Sequence, residues 1–217
     1  MGMFLRRGYA PTKTPLGELS LGTIVKLNES GAPIEFYVAK HNYEQGLNGV
    51  GRTLLVRKDI HSRQHYDSSK YSMTAIDSFL RNTWVTLLDS HVRELAETTK
   101  IYSPLGGGGS ALEKINRVAF ILSSTELGFS GSGMVTVGTA LPTATLLKQQ
   151  AFLNGSSTSM GMRTADTSSS SYTYKCTWFK GQVSVSKTYI DSDTIVGCRP
   201  CITLPADTIL CKDLLIV

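Results

Sequence analysis

Gly22-Thr-Ile-Val-Lys-Leu27 and Ile34-Glu-Phe-Tyr-Val-Ala39 decide the reading of the fold. In the second run Ile34, Phe36 and Val38 occupy every second position, so they line one face of a half-buried strand. Asn28-Glu-Ser-Gly-Ala-Pro33 lies between the two runs and reads as a hairpin loop. Thr53-Leu-Leu-Val-Arg57 adds a third strand, and the N-terminal part is expected to be an antiparallel meander. Further strand signals are Arg117-Val-Ala-Phe-Ile-Leu122, Gln182-Val-Ser-Val-Ser186, residues 199–204 and the closing Leu214-Leu-Ile-Val217.

The period changes between these blocks. Over residues 71–82, Ile76, Phe79 and Leu80 fall at i, i+3 and i+4, which predicts a short amphipathic helix. Asp89 is placed to cap a second helix with Val92, Leu95 and Ala96 turned inward. Trp84, Leu87 and Leu88, between the two, read as core anchors. The fold class expected is α+β, mostly antiparallel β, with two short helices and long loops.

Bulk composition agrees. The chain has 217 residues, 41% hydrophobic and 18% charged, which suits a packed globular protein and argues against disorder. Twenty glycines and abundant Ser and Thr imply many turns. The formal charge of +5 is mild and the basic residues are scattered, so no nucleic-acid partner is expected. No membrane span is expected either, because no run approaches about 20 apolar residues. The opening Met1-Gly-Met-Phe-Leu-Arg-Arg7 puts its charges after a very short apolar patch, the wrong order for a signal peptide. If the protein works outside its host cell, the ordinary secretory route is not expected, and release by lysis inside a virus particle would fit. Residues 1–15 read either as a frayed terminus or as an extended arm that docks on neighbouring subunits.

Several features resemble chemistry without completing it. Cys198-Arg-Pro-Cys201 has redox spacing, yet nothing around it reads as a strand running into a helix start, where such thiols become acidic. With Cys176 and Cys211 it makes no zinc ribbon, and small buried apolar residues are expected. His61 and His65 stand four apart near Asp67, but in a polar loop-like run, so no metal is expected. Gly106-Gly-Gly-Gly-Ser110 lacks the lysine of a phosphate loop and reads as a mobile loop. No nucleophile elbow is present, so the expectation is a protein that is not an enzyme and has no cofactor.

One stretch points to recognition. Residues 168–178 mix small hydroxyl side chains with aromatics, as binding loops do, because Tyr and Trp supply contact area at low entropy cost. Tyr172, Tyr174 and Trp178, with Tyr189 beyond them, are the candidate ligand-binding surface. The same residues also read as a solvated loop with its aromatics folded into the core.

In their order, five stretches resemble a family of uncharacterised domains common in gut Firmicutes and their phages. They are Leu21-Gly-Thr-Ile-Val-Lys-Leu27, Leu54-Leu-Val-Arg-Lys-Asp59, residues 72–84, Val118-Ala-Phe-Ile-Leu-Ser-Ser-Thr-Glu-Leu-Gly128, and Gly197-Cys-Arg-Pro-Cys-Ile-Thr-Leu-Pro205. The resemblance spans roughly residues 16–207. It implies a C-type-lectin-like fold over 16–217, behind the arm of 1–15, with Arg163, Gly197, Arg199 and Pro200 as structural motif residues. Where the family usually has a tryptophan pair before an arginine, this chain has Met160-Gly-Met-Arg163, so that region is expected to pack differently. The calcium and sugar tripeptides of the lectin fold are missing, which leaves calcium-dependent sugar binding unsupported. The implied role is a phage virion surface protein, a receptor-binding tip or a head or tail decoration, that binds without catalysis. Expected partners are other virion proteins through the arm and a bacterial surface glycan or protein, with homo-oligomers likewise expected. The alternatives are a formylglycine-generating-type catalyst using Cys198 and Cys201, and a bacterial surface adhesin domain.

Overall fold

The computed structural model describes residues 13–179, 182–191, 193–211 and 214–216, with the backbone alone for Phe179. The expected arm therefore lies outside the described residues, apart from its last three. Of those, β1 (Thr14–Pro15) pairs antiparallel with a strand near the other end of the chain.

The meander is present. β2 (Ile24–Glu29), β3 (Ala32–His41) and β4 (Arg52–Arg57) pair antiparallel in sequence order. The hairpin loop is tighter than the sequence suggests, since pairing runs on to Glu29 and Ala32. Only Ser30 and Gly31 are left to turn, with φ of 54° and 78°. Positive φ at both central residues is the type I′ geometry that matches strand twist. Next come β5 (Ser62–His65) and the helical segment. The expected first helix is a composite: an α-turn at Ala75–Phe79, a π-turn at Leu80–Trp84 and a last turn at Val85–Leu87. Thr74 caps it by accepting from the Asp77 amide, and Trp84 is fully buried. Asp89 caps the second helix, Ser90–Leu95, as its position predicts.

β6 (Thr99–Pro104) and β7 (Leu112–Arg117) make a hairpin that the periodicity did not reveal. The four-glycine run is its connection, closed by the Leu105 amide donating to the Ala111 carbonyl. The expected strand over 117–122 is reduced to β8 (Ala119–Phe120). There follow the small pair β9 (Phe152–Leu153) and β10 (Ser156–Ser157), then β11 (Met160–Ala165), β12 (Tyr172–Phe179), β13 (Gln182–Tyr189), β14 (Ile195–Cys198) and β15 (Cys201–Pro205). β16 (Ile209–Leu210) holds β1, and β17 (Leu215–Ile216) ends the described chain.

Two larger sheets result. One has six strands in the order β17-β2-β3-β4-β15-β8, the other five in the order β13-β12-β11-β14-β5. Pairing is antiparallel except for β17 on β2 and β11 on β14. The chain is thus α+β with mostly antiparallel sheets and short helices. A buried cluster reaching from Leu16 to Ile216 includes Phe36, Leu54, Trp84, Phe120 and Ile202. Each such side chain contributes about 1.5–3 kcal/mol by leaving water.

The Gly-x-Arg-Pro motif sits where the sheets join. β14 belongs to one sheet and β15 to the other, so the chain changes sheet at Arg199-Pro200. It also changes sheet between β4 and β5. At such corners carbonyls leave the ladder and need other donors. The buried Arg199 guanidinium supplies them: Nε to the Arg57 carbonyl, Nη2 to Lys58 and Nη1 to Leu147, all at 2.7 Å. No carboxylate is among these partners, and burial lowers its pKa from the usual arginine value. Gly197 is required by space, because a Cβ there would stand 2.7 Å from the Ser159 carbonyl oxygen and 3.0 Å from Ile60.

Arg163 is fully buried on β11. It forms a two-pronged ion pair with Glu126, Nη1 to Oε2 at 2.7 Å and Nη2 to Oε1 at 2.6 Å. The Tyr43 hydroxyl donates to Glu126 at 2.5 Å, and Arg163 Nε donates to the Tyr102 carbonyl at 3.2 Å. Burial opposes the charge on Arg163, but Glu126 outweighs it and the guanidinium pKa is raised.

Candidate functional site

β12 and β13 form a long hairpin at the edge of the five-stranded sheet. Side chains alternate across a strand, so Tyr172, Tyr174, Cys176 and Trp178 share one face of β12. Directly opposite them stand Tyr189, Lys187, Val185 and Val183. That face is divided along its length. Val183 and Val185 pack on the core, Cys176 is fully buried, and half-buried Trp178 donates from Nε1 to the Lys148 carbonyl at 2.7 Å. Tyr174 is 3% exposed and its hydroxyl donates to Asp166 Oδ2 at 2.8 Å.

Only at the far end does the face open. Tyr172 and Tyr189 are 37% and 53% exposed, and their rings meet edge to face, 5.5 Å apart at 83°. Lys187 lies beside them, its ammonium 5.9 Å from the Tyr172 ring centre and 2.6 Å from Asp166 Oδ2. Of the four aromatic candidates, the fold thus brings Tyr172 and Tyr189 together at the surface and turns Tyr174 and Trp178 inward.

Asp166 organises the support beneath. Fully buried, it accepts from the Ser168 amide at 2.9 Å and hydroxyl at 2.5 Å, as well as from Tyr174 and Lys187. Burial works against its charge, but the hydrogen bonds from Lys187, Ser168 and Tyr174 win and hold the carboxyl well below the usual range. Burial and the same carboxylate push the Tyr174 hydroxyl up. Adjacent loops are tied in through the backbone. Thr167 N–H donates to Gly133 O at 2.8 Å, Gly109 N–H to Thr167 O at 2.7 Å, and Ile190 N–H to Ser171 O at 2.8 Å. The glycine run is therefore part of this end of the molecule, held also by Gly107 N–H on the Ser69 hydroxyl at 3.2 Å.

Chemically the site offers two aromatic rings, one cation and several hydroxyls. Such a surface recognises by stacking, hydrogen bonding and charge. Asp166 and Lys187 escaped the sequence reading. The spacing Asp166-Thr-Ser168 is that of an Asx-turn and could have flagged the aspartate; nothing local flags Lys187.

The other candidates lie elsewhere. His61 faces Glu29, Nε2 to Oε1 at 3.4 Å, and packs on Phe79, while His65 is on β5 opposite Ile195. Burial lowers the His61 pKa, favouring the neutral ring. Among the described residues no three His, Cys, Asp or Glu side chains gather to hold a metal. Cys176, Cys198 and Cys201 are buried free thiols and Cys211 is exposed. Burial pushes Cys176 up to about 12, and Cys198 and Cys201 upward as well. No described helix is long and apolar enough to cross a membrane.

A family model described as a domain of unknown function (DUF6273) matches residues 50–206. No curated protein and no solved structure matches the chain. The matched span holds the motif residues Arg163, Gly197, Arg199 and Pro200 as well as the whole tyrosine site.

Proposed function

The chain belongs to the DUF6273 family, and on that premise we propose that it is a non-catalytic binding module of C-type-lectin-like architecture, carried on a phage or prophage particle. The observation that carries the binding reading is the exposed Tyr172–Tyr189 pair. It stands at the open end of the β12–β13 hairpin at the sheet edge, and the loops around it are fixed through buried Asp166. Rigid aromatics on a pre-ordered support lose little entropy on binding, which is what a recognition surface needs.

The lectin-like reading draws support from the pairing of strands near the two ends of the chain, β1 with β16 and β2 with β17. It also draws on a loop-rich second half that ends in one long hairpin at the edge of the five-stranded sheet. The ligand class in keeping with the site is a bacterial surface glycan, since sugar rings stack on tyrosine and their hydroxyls pair with Ser, Thr and Lys. A formylglycine-type catalyst would need Cys198 and Cys201 accessible, and both are fully buried.

The particle assignment rests on the family resemblance and has its own test. Particles induced from a host carrying this gene are purified on a density gradient and probed with an antibody to the chain. Co-migration with intact particles is expected. A chain found only as free protein would refute this part of the proposal and leave the binding reading standing.

A further inference from the structure

The β6–β7 hairpin has a second outward face. Lys100 pairs across the strands with Asn116, and Tyr102 with Lys114. Lys100, Lys114 and Asn116 are exposed, and the Lys114 ammonium lies 5.9 Å from the Tyr102 ring centre. Beside this face run two adjoining depressions, of about 340 and 240 Å³, that share Thr98 and Asn116. Arg52 and Lys100 line one, Arg81 and Arg117 the other. Positions far apart in sequence thus place four cations along one groove, with Lys114 on the hairpin face beyond Lys100, which the scattered basic residues of the linear chain do not suggest.

Their neutralisation is incomplete. Fully buried Asp77 is shared between Arg117 (Nε at 2.6 Å) and Arg81 (Nε at 3.0 Å), and Glu97 pairs with Arg52 at 3.3 Å. Four groove cations, and Lys114 beyond them, therefore face two carboxylates. The pairs also fix the arginines in place: Arg52 is held further by the Asn48 carbonyl at 2.6 Å, and Arg117 by the Asn116 carbonyl at 2.8 Å. Arg81 uses only its Nε on Asp77 and is 44% exposed, which leaves its terminal amines facing outward. The Lys100 backbone is pinned by Asn48 from both sides, at 2.8 and 2.9 Å.

We propose that this groove is an anion-binding site for a linear phosphate-bearing polymer, separate from the tyrosine pair. Lys100 and Lys114 are diagonal neighbours on the hairpin, about 7–8 Å apart, and the three arginines gather at the Lys100 end, around Thr98 and Asn116. A single small anion reaches one or two such cations; a repeating one satisfies the row. Lysine ammonium groups suit phosphate as point charges, and the outward amines of Arg81 suit it as a fork. With one aromatic ring already covered by Lys114, the face offers no platform for successive bases, which favours a phosphate chain without nucleobases over nucleic acid.

The test measures binding of long-chain inorganic polyphosphate by the full chain, against orthophosphate and a single-stranded oligonucleotide of equal charge. Polyphosphate is expected to bind tightest. Engaging about three or four phosphates gives a log–log salt slope of about −2 to −3, so raising salt fourfold weakens binding roughly 15- to 60-fold. Lys100→Ala with Lys114→Ala should weaken it about tenfold or more with an unchanged melting temperature, since both side chains are exposed. Tyr172→Ala with Tyr189→Ala should leave it unchanged, which separates this site from the proposed recognition surface. Failure to bind polyphosphate, equal binding by the lysine variant, or tighter binding of the oligonucleotide would each overturn the proposal.

Discussion

Replacing Glu126 by Gln tests the buried network on which the second half of the chain is built. The substitution keeps shape and one acceptor but removes the charge opposite Arg163. That guanidinium is fully buried, and its other partners are the Ile121 and Tyr102 carbonyls and the Tyr43 hydroxyl. None of these carries a negative charge at neutral pH. Breaking a buried pair by removing one partner costs about 3–5 kcal/mol. The retained amide oxygen places Glu126→Gln at the lower end, about 3 kcal/mol. For a chain of this size each kcal/mol lowers the melting temperature by about 2–4 °C, so a fall of roughly 6–12 °C is expected. Urea unfolding followed by the fluorescence of buried Trp84 and half-buried Trp178 reads the free energy, and calorimetry the temperature. Arg163→Met combined with Glu126→Leu should be less damaging than the sum of the single changes, because no charge is left stranded. A loss below about 1 kcal/mol for Glu126→Gln, or strict additivity in the pair, would refute the reasoning.

Three further outcomes follow from the same geometry. A water-soluble thiol reagent at pH 8 should label one cysteine in the native protein, Cys211, and all four in denaturant, because burial keeps the other three protonated and covered; rapid native labelling of Cys198 or Cys201 would contradict this. Gly197→Ala should destabilise by about 1–3 kcal/mol, since its Cβ meets the rigid Ser159 carbonyl at 2.7 Å, and a neutral result by urea unfolding would mean that the corner yields easily. Asp166 has a depressed folded pKa, so its contribution to stability is present above the unfolded value near pH 4 and fades as pH falls below it. The stability gap between wild type and Asp166→Asn should accordingly shrink below about pH 4. A gap constant from neutral to strongly acid pH would show that Asp166 is not the titrating group.

The strands of the meander were legible as short apolar runs, and the turn between β2 and β3 carries its own glycine. In burial β2 alternates, whereas β3 and β4 are buried on both faces over residues 36–39 and 53–56, not half-buried as the alternation of Ile34, Phe36 and Val38 suggests. The Asp89 cap was legible from local sequence as well. The β6–β7 hairpin was not, because Pro104 and the glycine run mask the end of one strand, and exposed β7 alternates too weakly to stand out. The composite helix was blurred by the π-turn at Leu80–Trp84, which shifts the face that the periodicity measures. In the candidate site, composition drew attention to residues 168–178 but could not tell which of their aromatics reach the surface. Whether a tyrosine faces solvent or Asp166 depends on the tertiary placement of Asp166, on the chain just after β11, beneath one end of the hairpin. Arg163 and Arg199 stood out only by resemblance. Their partners, Glu126 and three backbone carbonyls, are 37 to 142 residues away in sequence and leave no local pattern.

The proposed recognition surface at the Tyr172–Tyr189 end of the hairpin stands or falls on one binding measurement. Purified wild-type chain and the Tyr172→Ala/Tyr189→Ala variant are titrated against a panel of isolated bacterial surface glycans. Saturable binding to at least one of them is expected, with a loss of about tenfold or more in the variant, as the removal of two stacking anchors requires. Equal binding by the variant, or no binding of the wild type to any member of the panel, would contradict it.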